Sequence, residues 1–174
     1  AEEAGATSIR ASENEEERLF TELKVHYRDD NIKLLYQKAG FQTSGSVGLD
    51  LVNVEDITGD PDTPLIMADL GLVVKVPVGF HTIIMPRSST FKKFGIQQGN
   101  SIGLIDNDYC GAKDFLGFCI YDTLRKERDL FIPKGTRLCQ LVVMPTVMVS
   151  QILEFNPEEE SRGGWGSTDE TIEV

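Results

Sequence analysis

The chain has 174 residues with 40% apolar and 26% charged side chains, which suits one domain that buries its own core without disulfide or metal staples. Its formal charge of −11 sits at the ends, since residues 1–22 hold seven Glu against two Arg and residues 154–174 hold seven acids against one Arg. Residues 23–153 are therefore neutral, with no basic face for duplex nucleic acid, and no apolar run approaches the ~18 residues of a membrane span.

The first 18 residues, AEEAGATSIRASENEEER, offer too little apolar surface to offset ordering entropy and are expected to form a disordered acidic tail. Their acidity is also wrong for a signal peptide, so a soluble, cytoplasmic protein is expected. From Leu19 short apolar runs alternate with turn formers: TELKVHYR, GLDLVNVE, DLGLVVKVPVG, HTIIMPR, GLIDNDY, DFLGFCIYDT, RLCQLVVMPTVMVS and QILEF. Runs of this length with β-branched residues read as strands, making residues 19–155 an all-β core.

One short helix is expected where Ser88, Ser89 and Thr90 offer N-cap hydroxyls, Phe91 and Phe94 lie three apart and Gly95 stops the run. Pro77-Val78-Gly79 and Pro133-Lys134-Gly135 read as hairpin turns. Residues 156–174, NPEEESRGGWGSTDETIEV, leave the core as a glycine-rich C-terminal arm. Cys110, Cys119 and Cys139 show no CxxC pairing and lie at no ligand spacing with His26 or His81, which favours reduced thiols over a protein-built metal cage.

Five stretches could carry chemistry. In GNSIGLIDNDYCG, Gly99–Gly111, the residues alone read as a tight turn, and an EF-hand loop is excluded because Cys110 and Gly117 stand where ligands are needed. MPRSSTFKKFG places Arg87 and three hydroxyls at a strand-to-helix junction, which reads either as an ordinary cap or as an anion site. SRGGWGST, Ser161–Thr168, could form an anion nest or a glycine-rich tail, although Trp165 implies something to cover. In RLCQLVV, Arg137 and Gln140 fall on opposite faces of a strand by the period of two. In SGSVGLDLV, Asp50 follows a glycine-rich turn.

Together, in order and spacing, SGSVGLDL, PRSST, GNSIGLIDNDYCG, RLCQL and RGGWGST resemble the five motifs of the trimeric dUTPases, over about residues 45–168. The resemblance implies a jelly-roll-like subunit in a homotrimer, with active sites between subunits and a C-terminal arm closing over a neighbour's site. It implies that dUTP is hydrolysed to dUMP and pyrophosphate with Mg²⁺ on the phosphates. It also assigns roles. Asp106 matches the acid that orients a water against the α-phosphorus. Gly103 and Ile105 belong to the uracil-holding hairpin backbone, Asn100 assists at the base edge, and Tyr109 lies under the deoxyribose, where a 2′-hydroxyl would collide.

Arg87, Ser88 and Ser89 match the phosphate-holding second motif, and Gln140 the glutamine near the α-phosphate and attacking water. Asp50 matches a first-motif acid that supports the metal indirectly, through water. Arg162, Gly164, Gly166, Ser167 and Thr168 match the arm that clamps the outer phosphates. This arm departs from the common pattern: two residues are missing between Arg162 and the aromatic, Trp165 replaces Phe, and Asp169 replaces Gly. The short spacing resembles a phage and Gram-positive subgroup, which leaves both Trp165 and Phe115 as candidates to cover the base.

Two rivals share the fold. A dCTP deaminase or bifunctional deaminase-diphosphatase needs a glutamate base that the third motif lacks. A phage regulatory protein that binds a repressor would use surface insertions, for which the acidic tails and Arg125–Asp129 are the candidate contacts.

Overall fold

The computed structural model describes residues 20–39 and 45–163. The acidic tail anticipated over residues 1–18, and Gly164, Trp165, Gly166, Ser167, Thr168 and Asp169 of the arm, lie outside the described residues. Among the described residues the chain runs β1 (Lys24–Tyr27), α1 (Asp30–Ala39), β2 (Leu49–Val52), β3 (Ile57–Thr58), β4 (Leu65–Asp69), β5 (Leu72–Lys75) and β6 (Phe80–Pro86). It continues through α2 (Thr90–Phe94), β7 (Ile96–Gln98), β8 (Gly103–Ile105), β9 (Gly117–Asp122), β10 (Phe131–Ile132) and β11 (Arg137–Pro145).

Two sheets carry the architecture, one ordered β2-β11-β6-β8 and the other β4-β9-β7, accompanied by the strand pairs β1-β5 and β10-β3. All named pairings are antiparallel. Leu51, Ile84, Cys139 and Leu141 from the first sheet share one buried cluster with Ala68, Ile96, Phe118 and Ile120 from the second. The mainly β class expected from the strand pattern, and the jelly-roll-like subunit implied by the resemblance, agree with this architecture.

Helix α1 is absent from the sequence expectation, which assigned no element between TELKVHYR and GLDLVNVE. Its signal was present: Ile32, Leu35, Tyr36 and Ala39 recur at helical spacing, and the Asp29 carboxylate caps the first turn by accepting Ile32 N–H at 2.9 Å. The helix lies on the core through Tyr36, whose hydroxyl donates toward the carbonyls of Val52 (3.1 Å) and Leu70 (2.8 Å). It thereby ties β2 to the β4–β5 link.

Other expectations need correction. QILEF (151–155) is an exposed, irregular segment, with Ile152 94% and Phe155 82% exposed, so its apolar residues mark no strand of this core. The Pro-Val-Gly and Pro-Lys-Gly segments are turns, closed by Phe80 N–H to Pro77 O at 3.2 Å and Thr136 N–H to Pro133 O at 3.3 Å. They are not hairpins, however: β5 pairs with β1 while β6 pairs with β11 and β8, and β10 pairs with β3 while β11 pairs with β2 and β6. Each turn therefore passes the chain between sheets. Strand β4 escaped detection because Leu65 and Met67 are apolar on the outer face as well as Ala68 on the inner one, which erases the alternation.

Burial pushes the Tyr36 phenol and the Cys139 thiol above their ordinary ranges, about 10 and 8.5. Both are held neutral in the folded chain, so the stability they confer is complete below those values. It is lost as pH rises and the unfolded chain alone ionises. Unfolding in urea at stepped pH should show stability falling from about pH 8.5 upward, with a shallower slope in Cys139→Ala. At neutral pH, Tyr36→Phe should cost about 1–2 kcal/mol by removing the hydroxyl that donates toward the Val52 and Leu70 carbonyls and accepts Val52 N–H.

Candidate active site

Two groups of side chains converge at opposite ends of β6. At the first end, Arg87 directly follows Pro86, and its Nε lies 3.0 Å from Asp50 Oδ1. Asp50 is 5% exposed and is also approached by Arg137 Nε, 3.4 Å from Oδ2. A buried carboxylate is costly without partners, and here two guanidinium groups supply them.

The convergence of Arg137 corrects the expectation that it and Gln140 face opposite ways. The register shifts between Arg137 and Cys139, so that Arg137 opposes Val52 and Gln140 opposes Asp50. Val52 and Asp50 lie on one face of β2, two residues apart, and the bulge therefore brings Arg137 and Gln140 to the same side. The Gln140 amide donates to Pro86 O at 3.1 Å. A Cβ at Gly48 would stand 2.4 Å from Gln140 Oε1, so a larger residue there would require the Gln140 side chain to shift.

Helix α2 begins beside this group. Ser89 is its N-cap, yet its hydroxyl makes no capping bond, and Gly95 ends the helix in the left-handed conformation at φ 65°. The hydroxyl that stabilises this junction belongs to Thr90. It accepts Arg87 N–H at 3.1 Å and donates to Leu138 O at 3.0 Å, pinning Arg87 to β11. Ser88 and Ser89 stay exposed next to it.

The second group lines an open cleft of about 470 Å³ formed by Met67, Leu104, Ile105, Asp106, Tyr109, Phe115, Leu116 and Gly117. Gly103 is buried in β8 and Ile105 half-buried, while Asp106 follows β8 and is exposed. A turn closed by Tyr109 N–H to Asp106 O at 3.1 Å brings Tyr109 back to the same cleft, and its hydroxyl meets Phe115 O at 3.4 Å. Asn100 is exposed on the loop before β8, where Ile102 N–H bonds Asn100 O at 2.7 Å across Ser101. Ser101 has φ 63°, a conformation that costs a non-glycine residue free energy and persists only where surroundings impose it. The third motif is not a hairpin of two paired strands, because β7 joins β9 and β8 joins β6.

The register fixes how far apart the two groups are. Ile105 opposes Thr82, which places Asp106 level with His81, whereas Arg87 lies past the far end of β6. At ~3.3 Å per residue the separation is about 20 Å. One subunit therefore holds Asp106, Tyr109 and Phe115 together, and holds Asp50, Arg87 and Gln140 together, but does not bring the two sets within reach of one phosphorus. Arg162 is exposed and distant from either group in sequence.

Three contributors escaped the sequence reading. Asn107, taken only as a turn former, donates its amide to the carbonyls of Val76 (3.2 Å), Pro77 (2.9 Å) and Phe80 (2.9 Å), fastening the Asp106 turn to the start of β6. Gln98, buried behind β8, donates to Ile84 O at 3.1 Å. Arg137 reaches Asp50 only because of a bulge that period-two counting cannot foresee. Arg128 of the RKERD segment is committed inward, to buried Asp122 at 2.9 Å and to Phe94 O.

Comparison with known proteins returns one family. The dUTPase family profile matches residues 38–169. An SPbeta prophage-derived deoxyuridine 5′-triphosphate nucleotidohydrolase of Bacillus subtilis is 37% identical over 69% of this chain and 82% of its own length. A deoxyuridine 5′-triphosphate nucleotidohydrolase of Aeromonas hydrophila is 36% identical, covering 86% of this chain and 98% of its own. Among solved structures, a Staphylococcus bacteriophage 80alpha dUTPase mutant with dUpNHpp superposes at TM-score 0.66 and 21% identity, over 84% of this chain and 97% of that one. A phage phi11 dUTPase mutant, described as coordinating a structural Mg(II) ion, superposes at TM-score 0.61 and 21% identity over 77% and 98%.

Replacing Asn107 with Ala should remove a donor from each of three carbonyls, leaving Pro77 O its bond from Phe80 N–H, and free the turn that carries Asp106. We expect a loss of about 1–2 kcal/mol in urea unfolding at unchanged m-value, together with a lower kcat.

Proposed function

The chain belongs to the dUTPase family and is a dUTP diphosphatase, and from that premise we propose that each active site is shared between neighbouring copies in a homotrimer. The observation that carries this reading is the separation along β6. Its Asp106 end of one subunit meets the Arg87 end of the next, and such a head-to-tail contact closes into a ring. The outer face of the first sheet supports it. Half-buried Ile83 and Leu104, 64% exposed, stand between the two groups on that face, an apolar surface suited to a neighbour.

In the assembled site, Asp106 orients a water and accepts its proton as the oxygen attacks the α-phosphorus. The loose transition state asks little more of the base. Tyr109 lies beneath the deoxyribose and excludes a 2′-hydroxyl, with Asn100 at the base edge, Gly103 and Ile105 presenting backbone to uracil, and Phe115 walling the cleft. From the neighbour, Arg87 with Ser88 and Ser89 binds the phosphates, and Gln140 lies near the α-phosphate and the water. Charge compensation dominates this end, because a triphosphate cannot approach two carboxylates unaided. Arg162 and the following arm, Gly164–Thr168, are assigned to the outer phosphates, with Trp165 the second candidate to cover the base.

The donor set fits Mg²⁺ held chiefly by the substrate. Among the described residues no three His, Cys, Asp or Glu side chains gather as a metal site. Asp50 Oδ2 is buried and accepts no hydrogen bond, and it can accept one from a metal-bound water. Bound there, Mg²⁺ would neutralise developing charge on the leaving pyrophosphate. No helix among the described residues is long and apolar enough to cross a membrane, consistent with work on a cytosolic nucleotide.

Asp106→Asn should leave assembly unchanged by sedimentation and lower kcat about 10³-fold or more; near-normal turnover would remove Asp106 from its role. In a nucleotide panel with pyrophosphate detection, dUTP should be cleaved in preference to UTP and dCTP, and only with Mg²⁺ present. Ammonia release from dCTP would instead favour the deaminase.

A further inference from the structure

The cleft wall has a support that none of the five motifs contains. Phe115 faces the cleft beside Asp106 and Tyr109, and the guanidinium carbon of Arg28 stands 4.6 Å from its ring centroid. The His26 ring lies 6.3 Å away at an interplanar angle of 30°. Arg28 follows β1, in a part of the chain that precedes every motif. It is not a loose surface side chain: its two terminal nitrogens grip Asp69 at 2.5 and 2.8 Å, and its N–H bonds Gly71 O at 3.0 Å.

Asp69 is fixed in turn, by Gly71 N–H at 2.8 Å and by its place at the end of β4 opposite Gly117. The Phe115 backbone is bracketed as well, since neighbouring Leu116 exchanges hydrogen bonds with Leu70 (3.1 Å) and Leu72 (2.9 Å). Tyr109 then reaches Phe115 O. A continuous chain of contacts thus runs from Asp69 through Arg28 and Phe115 to Tyr109. A bidentate guanidinium is planar and pre-organised, so it can hold an aromatic ring at one angle with little entropic cost.

We propose that Arg28, locked by Asp69, is a positioning residue for the nucleoside: it backs the Phe115 ring so that Phe115 is a fixed wall of the cleft rather than a swinging cover. This rests on the assignment of that cleft to deoxyuridine. A wall that contacts ground state and transition state alike changes KM and not kcat. Arg28 acts only through Phe115, so its loss and the loss of the ring remove the same interaction.

The test is a double-mutant cycle on steady-state kinetics with dUTP, using Arg28→Ala, Phe115→Leu and the double variant, with dUMP affinity measured in parallel. Arg28→Ala should raise KM about tenfold with kcat within about twofold. Phe115→Leu should match it, and the double variant should be no worse than either single one. Arg28→Lys, which keeps charge but not the planar fork, should fail to restore KM. Asp69→Asn, which weakens the lock, should give an intermediate KM. Should Arg28→Ala unfold, Asp69→Asn and Arg28→Lys carry the same comparison.

Additive effects of the two substitutions, a fall in kcat at unchanged KM, or wild-type KM in Arg28→Ala would overturn the proposal. Wild-type protein that neither cleaves dUTP nor binds dUMP would instead overturn the assignment of the cleft, and this proposal with it.

Discussion

A strand seven residues long holds the two halves of the chemistry apart. β6 is antiparallel to both β8 and β11, its register is fixed over its whole length, and it is rigid on the scale of a substrate. Asp106 lies level with one end and Arg87 follows the other; under the proposed roles these are the carboxylate that directs water and the arginine that binds phosphate. No rotamer of Asp106 or Arg87 closes a gap of about 20 Å. Under the proposed division of roles, assembly is a chemical requirement of this chain.

The Arg87 end, on the proposed assignment, faces a second problem, that of keeping cations ready for a triphosphate before it arrives. Asp50 sits almost fully buried between Arg87 and Arg137, aligning both guanidinium groups and relieving their mutual repulsion. The bulge in β11 is what makes the three-part contact available. Without it Arg137 would point into the core face, where Cys139 and Leu141 pack. A local irregularity of one residue thus turns the first residue of β11 toward Asp50, as bulges re-aim side chains.

The sequence made the strand-rich class, the Gly95 helix stop and the grouping of Ile105, Asp106 and Tyr109 legible, because each rests on local chemistry: alternation, a left-handed terminus, a compact turn. What it concealed was non-local. Helix α1 was overlooked although Ile32, Leu35, Tyr36 and Ala39 follow helical spacing, since the β-rich texture around them set the expectation. β4 was hidden by apolar residues on both faces. The side of the sheet that Arg137 occupies depends on a register shift, the triple use of Asn107 on turns distant in sequence, and the Arg28 to Phe115 contact on two loop segments that meet only in the fold. Five short motifs nonetheless sufficed to indicate the family, which the profile match over residues 38–169 bears out.

The division of the site between subunits is open to one direct measurement. Asp106→Asn and Arg87→Ala proteins, each inactive alone, are unfolded, mixed in equal amounts and reassembled. If every site joins Asp106 of one subunit to Arg87 of another, random trimers should regain about a quarter of wild-type sites, and dUTP hydrolysis should recover in proportion. Mixed trimers that form normally yet remain as inactive as the separate variants would mean that both residues serve one site within a single subunit, contradicting this account.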